Sequence, residues 1–222
     1  MNKKHKVYCA GPLFNPKERE EMEQIAKALE DSGYSVFLPH RDGLEFADLF
    51  PCLLKKGFQA HDAHSILNLA IFSLDVFQII SSDGLLLNMN GRVPDEGAMV
   101  EAGIAWSHNK VIVIFRSDSR SLIEGNCNPL VLGLSDFTFI SSYDEITTAF
   151  ESKFSDVMED VLLGRDRSFE IALESGKEIS EYLASKRSGV DITDLLIDLF
   201  KEKVCQSGED PKENCSQISA QG

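Results

Sequence analysis

The sequence predicts an α/β protein built on a doubly wound, five-stranded parallel sheet of the flavodoxin-like or Rossmann-like kind. Two observations favour this fold class. Short apolar runs alternate with longer segments of helical periodicity, as in successive β-α-β units. The runs at 84–88 and 111–115 are apolar at nearly every position, as strands covered on both faces are. Helices are therefore expected on both faces, and ligands at the carboxyl ends of the strands.

The predicted elements follow one another with short connections. In chain order they are strand 7–10, helix 17–31, strand 34–38, helix 64–80, strand 84–88, helix 95–108, strand 111–115, strand 137–140 and helix 143–163. The first helix rests on the helical spacing of Met22, Ile25 and Leu29. Residues 46–61 are predicted to be a loop with at most short helical turns, because Pro51 and Gly57 interrupt them.

Three regions are predicted along the chain. Residues 1–163 form the core domain just described. Two amphipathic helices, 168–186 and 191–204, make residues 164–205 a helical C-terminal extension, either packed on the core or used for subunit contact. Residues 206–222 are polar and are predicted to be disordered.

Composition excludes several classes of partner. The chain has 222 residues and a net charge of −14, whereas surfaces that bind nucleic acid or anionic membranes need clustered Lys and Arg. Five cysteines without a C-x-x-C spacing argue against a disulfide framework and favour a cytoplasmic location. No run is expected to approach the length needed to span a membrane. A small ligand is therefore the expected partner.

Two strings carry residues suited to chemistry, 8–14 (YCAGPLF) and 94–103 (PDEGAMVEAG). In the second, Asp95 is placed to cap a helix on which Glu101 follows about two turns later, beside a face expected to be buried. Such a carboxylate needs a partner, and Tyr8 is the candidate. A hydrogen bond from Tyr8, together with the positive helix end, would favour ionised Glu101. A purely structural tie between strand and helix explains the same pattern equally well.

A second carboxylate, Asp75, lies on an otherwise apolar helical stretch. It is either a solvated face residue or a residue of the ligand crevice. With Glu101 it would supply the two carboxylates that glycosyl transfer uses, one to attack the anomeric carbon and one to handle the proton of the leaving group.

These motifs together resemble the nucleoside 2-deoxyribosyltransferase family over roughly residues 5–140. The matching features are Tyr8 with Ala10-Gly11, Asp75 with Asp83, the pattern Asp95-x-Gly97-x-x-x-Glu101, and Asn128 ahead of the segment 133–136. The resemblance implies that Glu101 is the nucleophile that forms a covalent deoxyribosyl ester. It also implies that Tyr8 orients Glu101 and that Asp75 serves the departing and arriving base.

The resemblance further implies a set of substrate-binding residues. Asp95 would bind the 5'-hydroxyl side of the sugar, and Asn128 would reach across from a neighbouring subunit; Asn126 is a less suitable substitute because of its spacing. Phe14 and the segment 46–58 are candidate apolar walls for a planar base. The remaining members of the predicted set are Gly11, Gly97 and Leu130.

The expected activity is exchange of the base of a 2'-deoxynucleoside, with retention, in nucleobase salvage. The alternatives are an N-glycosidase that hydrolyses deoxynucleosides or their 5'-monophosphates, and a non-catalytic nucleotide-binding module. A carboxylate at Asp95 favours a free 5'-hydroxyl over a phosphate. The expected partners are a deoxynucleoside, a free base and further copies of the chain in a homo-oligomer. No cofactor is expected and no metal, since His61 and His64 alone are weak as ligands.

Overall fold

The computed structural model describes residues 5–91, 95–118, 128–163, 168–185, 192 and 195–200. Four parallel strands form one sheet in the order β2-β1-β3-β4, and helices lie between them in the chain. The strands are β1 (Lys6–Ala10), β2 (Ser35–Phe37), β3 (Gly84–Asn88) and β4 (Val111–Phe115). The helices are α1 (Pro16–Asp31), α2 (Pro39–Asp42), α3 (Phe46–Lys55), α4 (Ala60–Ser81), α5 (Glu96–Ser107), α6 (Pro129–Leu132), α7 (Glu145–Leu163) and α8 (Ser168–Ser185).

The sheet is covered on both faces, which confirms the predicted fold class. On one face β1, β3 and β4 pack against α1 and α7 through residues such as Cys9, Ile25 and Phe150. On the other face they pack against α4 and α5 through residues such as Leu87 and Ala102. Every residue of β3 and β4 is buried, as the apolar runs of the sequence indicate.

The predicted fifth strand is wrong. Ile140 makes a single parallel bridge to Phe115, and no ladder extends from it. The chain before this bridge is occupied by a short 3-10 helix, Gly133–Ser135, and by a turn in which Asp136 and Phe137 take positive φ angles of 52° and 61°. These left-handed residues cannot pair as an extended strand.

The predicted loop at 46–61 is also wrong, because residues 46–55 form α3. Pro51 lies inside this helix and removes one backbone donor, but Phe46 and Phe50 both pack on the His64 ring of α4, with ring centroids 4.9 and 4.5 Å apart. Gly57, at a φ of 93°, follows the helix, and the amide of Phe58 reaches back to the carbonyl of Leu53. Gly57 is thus a helix-ending glycine.

Helix α4 begins earlier than predicted and is long and apolar enough to cross a membrane, by length and composition only. The expectation that no run reaches that length is therefore wrong. Three residues of α4 are fully buried in the monomer, Ala63, Leu67 and Ile79. Much of its apolar surface is consequently exposed.

The chain divides into two compact units, residues 1–167 and 168–222. The second contains α8, which ends one residue before the predicted 186. Within the predicted helix 191–204, residues 192 and 195–200 are helical, and the other residues lie outside the described part of the chain. The tail 206–222, predicted to be disordered, lies wholly outside it.

Candidate active site

The site is centred on a hydrogen bond between Tyr8 and Glu101. Tyr8 is the third residue of β1, fully buried, and faces the side of the sheet that α4 and α5 cover. Its hydroxyl donates to Oε1 of Glu101 over 2.7 Å. The Tyr8 ring also stacks on Phe37, with centroids 5.5 Å apart. Tyr8 and Glu101 are 93 residues apart in sequence, so this hydrogen bond joins β1 to a distant helix, α5.

Helix α5 places Glu101 at the edge of a face of small residues. Ala98, Ala102 and Ala105 turn inward and are buried, so that the helix lies close to the sheet. Glu101 is half-buried beside them. Gly97, which lies one turn before Glu101 on the helix, is exposed. The carboxylate therefore lies at the boundary between the core and the solvent, where a ligand can reach it.

The protonation of Glu101 differs from the expectation. Burial raises the pKa of Glu101 most, the hydrogen bond from Tyr8 lowers it, and the charges of Asp75 and Asp95 raise it, so that the net pKa is about 7. Glu101 is the sixth residue of α5, whereas the field of a helix end fades beyond the first turn. The ionised form is thus less favoured than predicted, because desolvation outweighs the hydrogen bond.

Asp75 and Tyr8 complete a group of coupled side chains. Burial raises the pKa of Asp75, which is half-buried on α4, and the Tyr8 hydroxyl lowers it. Burial, followed by the charge of Glu101, raises the pKa of Tyr8 far above its ordinary value, so Tyr8 stays a donor and cannot serve as a base. The structure therefore brings Tyr8, Asp75 and Glu101 together on one face of the sheet.

Asp95 caps α5, as its position in the sequence predicts. Its Oδ1 accepts a hydrogen bond from the amide of Ala98 at 2.9 Å. A Cβ at Gly97 would come within 3.0 Å of the same oxygen. Glycine at position 97 therefore leaves room for the Asp95 carboxylate, which is half-buried at the start of the helix that carries Glu101.

Gly11 is explained by packing. It is buried directly after β1, where an added Cβ would come within 2.7 Å of the Met22 sulfur and 2.8 Å of the Asn88 Cβ. Cβ atoms in proteins essentially never come this close to other atoms, so a larger residue at position 11 would force the side chains of Met22 and Asn88 to shift. Its assignment to the substrate remains a prediction.

The other predicted binding residues lie at the surface. Phe14 is 78% exposed and Leu130 is 82% exposed. Asn128 caps α6, and its side-chain oxygen accepts from the amide of Leu130 at 2.9 Å. Among the described residues, no hydrogen bond links Asn128 to Tyr8 or Glu101. Asn126, the less suitable alternative, lies outside the described residues.

The two histidines first considered as metal ligands have other contacts. His64 packs against Phe46 and Phe50, and His61 contacts Asp62 at 3.4 Å. The described part of the chain contains no group of three or more His, Cys, Asp or Glu residues that could hold a metal ion. The absence of a metal or cofactor from the reaction stays a prediction.

A polar clamp that the sequence analysis missed holds the start of the loop that follows β3, at Asn90. It consists of Glu21, Asn88, Asn90, Ser117 and Asp118. Glu21 of α1 accepts from Asn88 at 2.9 Å and from Asn90 at 2.8 Å. Asn90 Oδ1 accepts from the amides of Ser117 and Asp118, at 2.8 and 3.1 Å. The sequence feature that could have revealed the clamp is a pair of asparagines at the end of β3, Asn88 as its last residue and Asn90 two positions later.

We expect Asn90→Ala to lower the free energy of unfolding by about 3 kcal/mol. The substitution removes one of the two hydrogen bonds that Glu21 accepts here and leaves the amides of Ser117 and Asp118 without the Asn90 oxygen, at a site where Asn90 itself is 7% exposed. Urea denaturation measures the change, with Asn68→Ala, on an exposed position of α4, as the control. A loss below 1 kcal/mol, equal to that of the control, would show that the clamp does not stabilise the loop.

The chain is similar to several solved structures at low sequence identity. A conserved protein from Enterococcus faecalis V583 is 20% identical, with a TM-score of 0.50, 68% of this chain covered and 99% of the other. A 2-deoxyribosyltransferase from Bacillus psychrosaccharolyticus is 19% identical, with a TM-score of 0.44 and coverages of 64% and 89%. A CMP N-glycosidase from Clostridium botulinum is 18% identical, with a TM-score of 0.39 and coverages of 66% and 98%. No curated protein matches the chain significantly.

The family model for nucleoside 2-deoxyribosyltransferases matches residues 7–160, which contain the sheet and the Tyr8, Asp75 and Glu101 group. This match covers more than half of the chain. The chain therefore belongs to the nucleoside 2-deoxyribosyltransferase family, whose members are enzymes of the pentosyltransferase and N-glycosidase class.

Proposed function

We propose that the protein exchanges the base of 2'-deoxynucleosides through a covalent deoxyribosyl ester on Glu101, as a cytoplasmic enzyme of nucleobase salvage. The observation that carries this proposal is the half-buried Glu101 carboxylate fixed by Tyr8 at 2.7 Å, on the sheet face to which α4 brings Asp75. A pair of carboxylates beside the anomeric carbon is what a retaining glycosyl transfer requires.

The proposed reaction has two steps in which the same bonds form and break in turn. Ionised Glu101 attacks the anomeric carbon, the bond from that carbon to the base nitrogen breaks, and Asp75 gives its proton to the departing base. An incoming base then loses its proton to Asp75 and displaces Glu101. The raised pKa of Asp75 supports this role, since it lets the carboxyl carry a proton nearer to neutral pH.

Completion of the site by a neighbouring copy is part of the proposal. Phe14 and Leu130 are too exposed in the monomer to shield a sugar ester from water. In a homo-oligomer, Asn128 and the apolar walls would come from the adjoining subunit. If water reaches the ester instead of a base, the enzyme is an N-glycosidase, which is the second candidate activity.

Base exchange can be observed directly. The protein is incubated with deoxyinosine or thymidine and a different free base, and the nucleosides are separated by chromatography. We expect the exchanged nucleoside to form. Release of free base without exchange would indicate the hydrolase, and no change with any donor would indicate a non-catalytic binding module.

We expect Asp95→Ser to shift the preference from nucleosides to 5'-monophosphates by about 100-fold in the ratio of kcat/KM values, because it removes a negative charge facing the 5' position. Serine also caps helices well, so α5 should keep its start. Asp95→Asn, likewise neutral and a good cap, is the matched comparison. An unchanged ratio in both variants would place the 5' group elsewhere.

Tyr8→Phe and Asp75→Asn should move the pKa of Glu101 in opposite directions, which infrared spectroscopy of the carboxyl group measures without turnover. In the unaltered protein the pKa of Glu101 is about 7. Loss of the Tyr8 hydrogen bond raises that pKa and loss of the Asp75 charge lowers it, each by on the order of 1 unit. Tyr143→Phe, on the opposite face of the sheet, is the control. Shifts in the same direction would contradict this electrostatic account.

A further inference from the structure

We propose that Lys6 is a positioning residue for Asp75, because it ties the last turn of α4 to β1 and thereby keeps the Asp75 carboxylate beside the Tyr8 hydroxyl. The role rests on the proposed function, in which Asp75 gives a proton to the departing base and takes one from the arriving base. Lys6 itself touches neither the substrate nor the reacting atoms. It acts through the helix that carries Asp75.

The ammonium group of Lys6 binds the carboxyl end of α4. Its Nζ donates hydrogen bonds to Oε1 of Gln78 and, over 3.2 Å, to Oγ of Ser81. Both residues lie in the last turn of the helix, where the final carbonyl groups stabilise a positive charge. One side chain of β1 therefore holds the end of α4.

The part of α4 that carries Asp75 has few other anchors. The structure describes this helix throughout, and its fully buried residues are Ala63, Leu67 and Ile79. Asp75 is half-buried in the stretch between the last two of these. Gln78 and Ser81 follow it by three and six residues on the same rigid helix. The Lys6 contacts therefore help Ile79 to fix where Asp75 lies against the sheet.

Lys6 also supports the ring of Tyr8. The two residues are two positions apart on β1, so their side chains leave the sheet on the same face. Nζ of Lys6 lies 5.9 Å from the centre of the Phe37 ring, and Phe37 stacks on Tyr8 with ring centroids 5.5 Å apart. Lys6 therefore contacts both the helix that carries Asp75 and the ring that packs on Tyr8.

The backbone of Lys6 has a separate, structural task. Its amide donates to Oδ2 of Asp83 over 2.8 Å, and the same oxygen lies 3.7 Å from Nδ1 of His5. A substitution at position 6 leaves this amide in place. The side-chain contacts with α4 can therefore be removed while the backbone contact between β1 and the start of β3 is kept.

The pKa of Asp75 in the free protein tests the positioning without turnover. The Tyr8 hydroxyl lowers this pKa, so Lys6→Met and Gln78→Ala should each raise it. Gln78→Ala changes no charge, and it should cause no further rise in protein that already carries Tyr8→Phe. Infrared spectra of protein with isotope-labelled aspartate measure the pKa, and Asp75→Asn assigns the band. An unchanged pKa in Gln78→Ala, or an equal rise with and without the Tyr8 hydroxyl, would overturn the proposal.

The choice of leaving group tests the consequence for the reaction. The base of 2'-deoxyguanosine needs a proton to depart, whereas the base of 7-methyl-2'-deoxyguanosine is already positively charged and departs without one. We expect Lys6→Met and Gln78→Ala to lose about 10-fold in kcat/KM for base release with the first nucleoside and less than about 2-fold with the second. Lys6→Arg, which can still donate to Gln78, should restore the rate. Equal losses on both nucleosides, as a purely structural role would give, contradict the proposal.

Two further variants make the outcome unambiguous. Gln24→Ala, at an exposed position on α1, is the control and should change neither the pKa of Asp75 nor kcat/KM. Asp75→Asn should show the same selectivity between the two nucleosides as the Lys6 variants. If Asp75→Asn loses activity equally on both, or if the unaltered protein releases no base, the proposed function fails. The infrared result then decides the role of Lys6 by itself.

Discussion

Glu101→Gln is expected to lower kcat/KM for base exchange by about 10⁴-fold or more, because no ester can form on the amide. Glutamine keeps the shape of the side chain and an oxygen that can accept the hydrogen bond from Tyr8, now 2.7 Å from Glu101. The loss would therefore report chemistry and not misfolding. Chromatographic exchange assays measure it.

Glu20→Gln, at an exposed position on α1, is the matched control for this activity loss. It removes one carboxylate far from the proposed site and should leave exchange unchanged. If Glu101→Gln retains turnover within tenfold of the unaltered protein, Glu101 is not the nucleophile and the hydrogen bond with Tyr8 is structural.

The same substitution is expected to make the protein more stable at pH 8, by about 3 kcal/mol, and nearly neutral at pH 5. The folded pKa of Glu101 lies at about 7, above the ordinary value of 4.5. Between these values the folded state keeps a proton that the unfolded state loses, so stability falls as pH rises. Above about pH 7 Glu101 is ionised in both the folded and the unfolded state, and the loss of stability that its buried charge causes no longer changes with pH. Glutamine carries no charge and removes this loss.

Urea denaturation of both proteins at pH 5 and pH 8 measures the difference. Glu20→Gln again serves as the control and should give no comparable gain at pH 8. A Glu101→Gln variant that is less stable than the unaltered protein at pH 8 would show that ionised Glu101 stabilises the fold, contrary to the effect of its burial.

Much of the fold was predictable because its strands are buried on both faces. The bounds of β3 and β4 agree with the apolar runs 84–88 and 111–115. The two wrong elements depend on tertiary contacts that a local pattern does not contain. Helix α3 tolerates Pro51 because Phe46 and Phe50 pack on His64, and the fifth strand is lost to the left-handed turn at Asp136 and Phe137.

The residues of the site could be predicted from the sequence, but the protonation of Glu101 could not. Tyr8, Asp75, Asp95 and Glu101 stand at recognisable spacings, and the structure brings the first two near Glu101. The pKa of Glu101 depends on how far its side chain is buried between α5 and the sheet, and the spacing of residues along the sequence does not reveal this. The clamp around Asn90 was missed for a similar reason, because its partners come from distant parts of the chain.

Covalent trapping tests the central claim most directly. A deoxynucleoside that carries fluorine beside the anomeric carbon slows breakdown of a glycosyl ester, and peptide mass spectrometry then locates the sugar. We expect one added fluorinated sugar on the peptide that contains Glu101, and none in Glu101→Gln. Release of the base with no labelled peptide, or a label on another carboxylate, would contradict the proposed mechanism.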